Sequence, residues 1–83
     1  MATQEEFEQA VAQSKQLTER PSNNILLQLY SLYKQATDGD VNTERPGGFD
    51  FKNIAKWDAW KNLQGTSQED ARAQYVQLVN SLK

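Results

Sequence analysis

The segment ILLQLYSLYKQA, residues 25–36, carries the pattern that decides the fold of this 83-residue chain. Its apolar side chains recur every three or four positions, which is the spacing of one helix face. Pro21 precedes the segment, and Ser22 or Asn23 can cap its first turn. The face and its wider margin consist of Ile25, Leu26, Leu29, Tyr30, Leu32, Tyr33 and Ala36. A helix with so wide an apolar face can be buried on two sides.

Two capping boxes predict helices at either end of the chain. Residues 3–6, TQEE, place a Thr hydroxyl and a Glu carboxylate so that each can bond the other's backbone amide. Residues 66–69, TSQE, match the same pattern and open a helix that runs nearly to Lys83. The apolar stripe of the first helix, which Ser14 interrupts, consists of Phe7, Ala10, Val11, Ser14 and Leu17.

A long loop and a short helix connect these segments. The loop, DGDVNTERPGGFD over residues 38–50, is rich in turn-forming residues, and Val41, Phe49 and Phe51 are the side chains expected to pin it. A third, short helix is expected through Ile54, Trp57, Trp60 and Leu63, stopping at Gly65. The prediction is therefore an all-α fold, with four amphipathic helices around one core in a single domain over residues 1–83.

Composition excludes several classes of function. The chain has no Cys and no His, so thiolate metal sites and Ser-His or Cys-His catalysis are absent, and neither an enzyme nor a metal site is expected. A net charge of -2 argues against nucleic-acid binding. The longest aliphatic run is Ile25-Leu26-Leu27, too short for a membrane span. We therefore expect a soluble, cytoplasmic protein without stable membrane insertion.

The acidic part of the loop resembles a calcium loop only at its start. Asp38, Asp40 and Asn42 occupy the first, third and fifth positions of that motif. Thr43 stands where the motif needs Gly, and Phe49 where it needs Glu. A solvated turn is the better interpretation.

Tyr30, Tyr33 and Lys34 share one helix face, because they lie at positions i, i+3 and i+4. Such a face can stack on a flat ring, donate hydroxyl hydrogen bonds and neutralise a phosphate. A core stripe with the Lys reaching outward would show the same spacing. Lys52 and Lys56 form a second i, i+4 pair, which on its own is typical of a solvated face.

Three motifs in order closely resemble the acyl-coenzyme A-binding protein family: LYSLYKQATDGD at residues 29–40, RPG at 45–47 and AKWDAW at 55–60. The resemblance implies a four-helix up-down-down-up bundle. It also implies non-catalytic intracellular binding, transport and pool formation of medium- to long-chain fatty acyl-CoA, with fatty acyl-CoA as the ligand and no cofactor. Transient contact with membranes or with acyl-CoA-using enzymes is compatible with this role.

The resemblance also assigns the binding residues. Tyr33 would stack on the adenine, and Tyr75 would bond near the ribose. The ribose 3′-phosphate would be surrounded by Tyr30, Lys34 and Lys56, and Lys15 would serve the other phosphates. The acyl chain would follow a groove of the first and second helices, whose contacting or adjoining residues are Ala10, Val11, Leu26, Leu27, Ser31 and Leu32.

Two positions depart from the family pattern. Ser14 stands where the family usually has Val, so restoring Val is expected to stabilise the fold. Asn53-Ile54 replaces a common Gly-Lys, so one cation near the headgroup is missing. The alternative function is a helical protein-protein interaction module, which would bind no lipid.

Overall fold

The computed structural model describes residues 3–83, so the first two residues of the predicted domain lie outside the described part. Over residues 3–83 the secondary structure consists of four α-helices without strands, which confirms the all-α prediction. The helices are α1 (Gln4–Ser14), α2 (Asn23–Asp38), α3 (Phe51–Lys61) and α4 (Gln68–Leu82).

The first capping box is confirmed, whereas the second is wrong: α4 is capped one residue later, by a single side-chain hydrogen bond. Thr3 Oγ1 accepts the Glu6 amide at 3.1 Å, and the Glu6 carboxylate accepts the Thr3 amide at 3.5 Å. In α4 the capping residue is Ser67, whose hydroxyl accepts the Asp70 amide at 3.0 Å. Thr66 belongs instead to the preceding turn, where its amide donates to the Leu63 carbonyl.

Two helices end earlier than their apolar spacing predicted. α1 ends at Ser14 rather than continuing to Leu17, and the Ser14 hydroxyl donates to the Val11 carbonyl at 2.7 Å. α3 begins at Phe51, before Ile54, and ends at Lys61. Gly65, expected to stop the third helix, has a φ of 93° and lies in the turn that leads to α4.

α2 and α3 run parallel. Tyr30 contacts Lys56, and one turn later on both helices Lys34 contacts Trp60, so the pairs follow the same order along each chain. α2 also packs against α4, and α4 packs against α1.

α4 is antiparallel to α2 and parallel to α1. At one end Gln68 Nε2, in the first turn of α4, donates to the carbonyl of Thr37 in the last turn of α2. At the other end Leu17, just after α1, lines a small cavity together with Leu82 of α4. These directions give the up-down-down-up bundle that the family resemblance implied.

The core lies where α4 crosses α1 and α2. The Phe7 ring meets the Tyr75 ring edge-on, with centroids 5.2 Å apart. The cluster of buried apolar residues consists of Phe7, Ala10, Leu29, Leu32, Ala36, Ala71, Tyr75 and Val79. α1 therefore joins the core mainly through α4, and α3 packs against α2.

Polar bonds attach the loop over residues 39–50 to α3. The Arg45 guanidinium donates two hydrogen bonds to the Asp58 carboxylate, at 3.0 and 3.1 Å. Trp57 Nε1 donates to the Thr43 carbonyl at 3.0 Å. The expectation that Phe49 and Phe51 pin the loop is wrong, because their exposed fractions are 90% and 69%. The RPG and KWDAW motifs hold the loop by these polar contacts instead.

A second set of polar bonds joins the end of α2 to the turn before α4. Gln35 Nε2 donates to Asp40 Oδ1 at 2.8 Å and to the Thr66 carbonyl at 2.7 Å. Asp40 Oδ1 also accepts the Gly65 amide at 2.9 Å. We call Gln35, Asp40, Gly65 and Thr66 the polar junction. The loop carboxylates make contacts within the chain: Asp40 Oδ1 belongs to the polar junction, and Asp38 pairs with Lys34.

Neither a metal cluster nor a membrane span occurs in the described chain. Among residues 3–83 no three Asp, Glu, His or Cys side chains are grouped to hold a metal ion. None of the helices in this range has the length and apolarity needed to cross a membrane.

Candidate functional site

A cavity of about 670 Å³ lies between α2 and α3. Its lining combines three cations with apolar and aromatic side chains, a composition that suits a ligand with both anionic and apolar parts. The lining residues are Arg20, Asn23, Leu26, Leu27, Tyr30, Lys52, Ala55 and Lys56. We call Arg20, Lys52 and Lys56 the cationic rim.

Helical spacing places these side chains on the two facing surfaces. Leu26 and Tyr30 are four residues apart on α2, and Lys52 and Lys56 are four apart on α3, so each pair projects from one face. The parallel course of the two helices aligns Tyr30 with Lys56. The Lys56 ammonium lies 5.2 Å from the centre of the Tyr30 ring, within range of a cation–aromatic contact.

Lys34 continues this surface one turn along α2. Its ammonium lies 5.0 Å from the centre of the Trp60 ring and forms an ion pair with Asp38. The hydrogen bond to Asp38 raises the pKa of Lys34. The ammonium is therefore firmly charged, and an anion already neutralises it.

Tyr33 and Tyr75 form an aromatic cluster with Phe7, which lies next to the Tyr30 and Lys34 positions on α2. Tyr33 stacks on Phe7 with centroids 6.0 Å apart and remains 40% exposed, so it has surface for another ring. Tyr75 is buried, and its hydroxyl donates to Ser14 Oγ at 3.1 Å. Burial raises the pKa of Tyr75 despite this bond.

The structure distributes the other residues assigned by resemblance over several places. Leu26 and Leu27 line the cavity, together with Tyr30 and Lys56. Lys15 is exposed just after α1 and is not part of the lining. The remaining assigned residues lie in or against the core: Ala10, Val11, Ser31 and Leu32.

The cavity does not coincide with the groove expected along the first and second helices, and the course of the acyl chain along that groove stays a prediction. α1 packs on α4, and it is α3 that lies beside Leu26 and Leu27. The cavity therefore has α2 and α3 as its walls. Helical spacing could not show this, because it defines the faces of a helix and not its neighbour.

The sequence-based assignment left out four lining residues. They are Arg20, Asn23, Lys52 and Ala55. A signal was available for Lys52, which precedes Lys56 by one helical turn. Arg20 joins the cavity from the connection between α1 and α2, where its guanidinium donates to Asn23 Oδ1 at 3.2 Å. Only the fold of that connection brings Arg20 to the rim.

Comparisons with known sequences place the chain among acyl-CoA-binding domains. Residues 4–79 match the family described as Acyl CoA binding protein. The chain is 52% identical to Acyl-CoA-binding domain-containing protein 1 of Oryza sativa subsp. japonica, over 99% of this chain and 90% of that protein. It is 53% identical, over 98% of its length, to Enoyl-CoA delta isomerase 2 of Rattus norvegicus, but it spans only 21% of that protein.

Solved structures show the same fold. The crystal structure of Oryza sativa Acyl-CoA-Binding Protein 2 superimposes with a TM-score of 0.91 at 51% identity, covering 95% of this chain and 88% of that one. The crystal structure of ACBP from Moniliophthora perniciosa gives a TM-score of 0.91 at 40% identity, covering 98% of this chain and 80% of that one.

Proposed function

The chain belongs to the acyl-CoA-binding protein family, and we propose that it binds one long-chain acyl-CoA, with part of the ligand occupying the cavity between α2 and α3. The observation that carries this proposal is the lining of that cavity, where the cationic rim adjoins Leu26, Leu27 and Tyr30. A ligand with several phosphate charges and a long apolar tail needs both kinds of surface next to each other.

The ribose 3′-phosphate is assigned to Tyr30, Lys34 and Lys56. Lys34 follows Tyr30 by one turn of α2, and Lys56 projects from the neighbouring α3. The Lys34 ammonium lies against the Trp60 ring and the Lys56 ammonium against the Tyr30 ring. A phosphate between them would accept charge-assisted hydrogen bonds from two ammonium groups and one from the phenol.

The rest of the headgroup is assigned to Tyr33, Tyr75 and Lys15. The exposed part of Tyr33 supports stacking on the adenine. Tyr75 donates its proton to Ser14, so its oxygen is free to accept a hydrogen bond from a ribose hydroxyl. Lys15 is exposed on the chain that follows α1, and a long flexible side chain there can reach a diphosphate.

The acyl chain is assigned to the α2–α3 surface formed by Leu26, Leu27 and Ala55. We assign the more deeply packed residues to support of this site rather than to direct contact; these are Ala10, Val11, Ser31 and Leu32. Burying one methylene contributes about 0.8 kcal/mol, so a sixteen-carbon chain offers on the order of 10 kcal/mol before association and ordering costs. The tail then dominates the affinity and the headgroup sets the specificity.

The biological role that follows is non-catalytic transport and pool formation of medium- to long-chain acyl-CoA in the cytoplasm by residues 1–83 acting as one domain. The family binds its ligand without chemistry, and acyl-CoA is the ligand rather than a cofactor. The protein-protein module is the less favoured alternative, because α3 and α4 already cover both sides of α2 that a partner helix would have used.

Titration calorimetry with palmitoyl-CoA tests the proposal. Saturable one-to-one binding at micromolar concentrations is expected. Free palmitate and unacylated coenzyme A should each bind far more weakly, because each lacks half of the complementary surface. A folded protein that releases no heat with palmitoyl-CoA would overturn the proposal. Equal affinity for acetyl-CoA and palmitoyl-CoA would show that the tail is not buried.

A further inference from the structure

Lys34 has an internal anion at the position where the proposed function requires an external one. Asp38 follows Lys34 by one turn at the end of α2, and its carboxylate lies 2.5 Å from the Lys34 ammonium. The Trp60 ring covers another side of the same ammonium. A phosphate that binds Lys34 must therefore share this cation with Asp38 or displace it.

The Lys34–Asp38 pair contributes little to the stability of the fold. Within a helix an ion pair is more favourable when the acidic residue precedes the basic one, and here the order is reversed. Asp38 is also the last residue of α2, where the helix dipole disfavours a negative charge. Both side chains keep access to solvent, with exposed fractions of 28% for Lys34 and 42% for Asp38. Stability gives no reason for a carboxylate at this position.

We propose that Asp38 is a specificity-determining residue that competes with the ligand's 3′-phosphate for the Lys34 ammonium. This inference rests on the proposed function, which assigns that phosphate to Lys34. Two anions on one ammonium lie close enough to repel each other, so the bound phosphate interacts with Lys34 less favourably than it would without Asp38. Asp38 thereby narrows the difference in affinity between acyl-CoA and an analogue that lacks the 3′-phosphate.

The competition is local because the other cations assigned to the headgroup are not engaged in this way. Among residues 3–83, the ion pairs join Lys34 to Asp38 and Arg45 to Asp58, and neither involves Lys56 or Lys15. Removing the Asp38 charge should therefore strengthen the interaction of Lys34 with the 3′-phosphate. It should leave the contribution of the other parts of the ligand to the affinity unchanged.

The test compares Asp38→Asn with the wild-type chain on two ligands, palmitoyl-CoA and 3′-dephospho-palmitoyl-CoA, by titration calorimetry. Asp38→Asn should bind palmitoyl-CoA about twofold to fivefold more tightly, the range typical of one exposed ion pair, and should bind the dephospho ligand with nearly unchanged affinity. Asp70→Asn is the matched control. It removes the same charge from an exposed site at the start of α4 and should change neither affinity.

The possible results distinguish a failure of the Asp38 inference from a failure of the proposed function. If wild-type protein binds palmitoyl-CoA but Asp38→Asn changes both ligands equally, or changes neither, the role of Asp38 is overturned and the proposed function stands. If the folded wild-type chain does not bind palmitoyl-CoA, both the proposed function and the role of Asp38 are overturned. Asp38→Ser provides an independent variant with the same expected selectivity change, and thermal unfolding of each variant confirms that it is folded.

Discussion

The polar junction at the end of α2 and the cationic rim of the cavity both gather polar side chains, but the partners of those side chains differ, and in the junction Gln35 Oε1 is left without a hydrogen-bond partner. In the junction, Gln35 and Asp40 bond to each other, and their further bonds go to the backbone of the turn before α4. Gln35 is fully buried there. Every one of these bonds is made within the chain, so the junction stabilises the fold.

The cationic rim is held differently: Arg20 donates to Asn23 Oδ1, and Lys56 lies over the Tyr30 ring. Within the described part of the chain, none of Arg20, Lys52 and Lys56 belongs to an ion pair. The cationic rim destabilises the fold little, and its positive charge is available to an anion from outside the chain. The difference teaches that polar groups bonded within the chain maintain this structure, whereas the cations that line the cavity without a carboxylate partner are available to an anionic ligand.

Gln35→Ala should produce the largest effect on stability. It removes two hydrogen bonds and leaves a cavity, so we expect the free energy of unfolding to fall by about 2 to 4 kcal/mol in urea titrations. Gln28→Ala is the control, since Gln28 lies on the same helix but is exposed. Similar losses in both variants would mean that the junction is not a special source of stability.

Lys56→Ala should affect binding and not stability. Loss of a charge-assisted bond to the 3′-phosphate should weaken palmitoyl-CoA binding roughly tenfold to a hundredfold, with little change in the urea midpoint. Lys61→Ala should leave affinity nearly unchanged, because Lys61 is a Lys on α3 that is outside the cavity lining. A large loss of stability in Lys56→Ala would contradict the view that the cationic rim serves binding while the polar junction serves stability.

Ser14→Val tests a polar contact that lies outside both regions. The Ser14 hydroxyl accepts a hydrogen bond from the buried Tyr75 hydroxyl and donates one to the Val11 carbonyl. Valine would leave the Tyr75 hydroxyl without this partner, so we expect a loss of about 1 to 2 kcal/mol in the free energy of unfolding. The sequence pattern had suggested a gain. A stabilised variant would show that apolar packing at this position outweighs the hydrogen bond.

Asp40 gives the smallest expected effect and a dependence on pH. The Gly65 amide, followed by Gln35, lowers the pKa of Asp40 below its ordinary 3.8. Its stabilising contribution is therefore present above the ordinary pKa and is lost as pH falls through the lowered value. The difference in unfolding midpoint between wild type and Asp40→Asn should shrink between about pH 5 and pH 2. A constant difference would mean that the Asp40 charge does not contribute.

Sequence reasoning was most successful where the interactions are local. The Thr3 capping box and the Ser22 cap join residues three apart, and both are present in the structure. The Lys34–Asp38 pair is equally local, at i and i+4, and the spacing alone could have indicated it. The pattern failed at Thr66 by one residue because Thr66 and Ser67 are both good capping residues, and only the preceding turn decides between them.

The sequence by itself determined four amphipathic helices, the family resemblance and the Tyr30–Lys34 surface, because each depends on residue spacing within one segment. The tertiary structure alone decided that α3 forms the second wall of the cavity, that Arg20 reaches its rim, and that Tyr75 bonds Ser14 across 61 positions of the chain. Helical periodicity defines which side chains share a face. It does not define which face meets which, because that depends on how all four helices bury their apolar surfaces together.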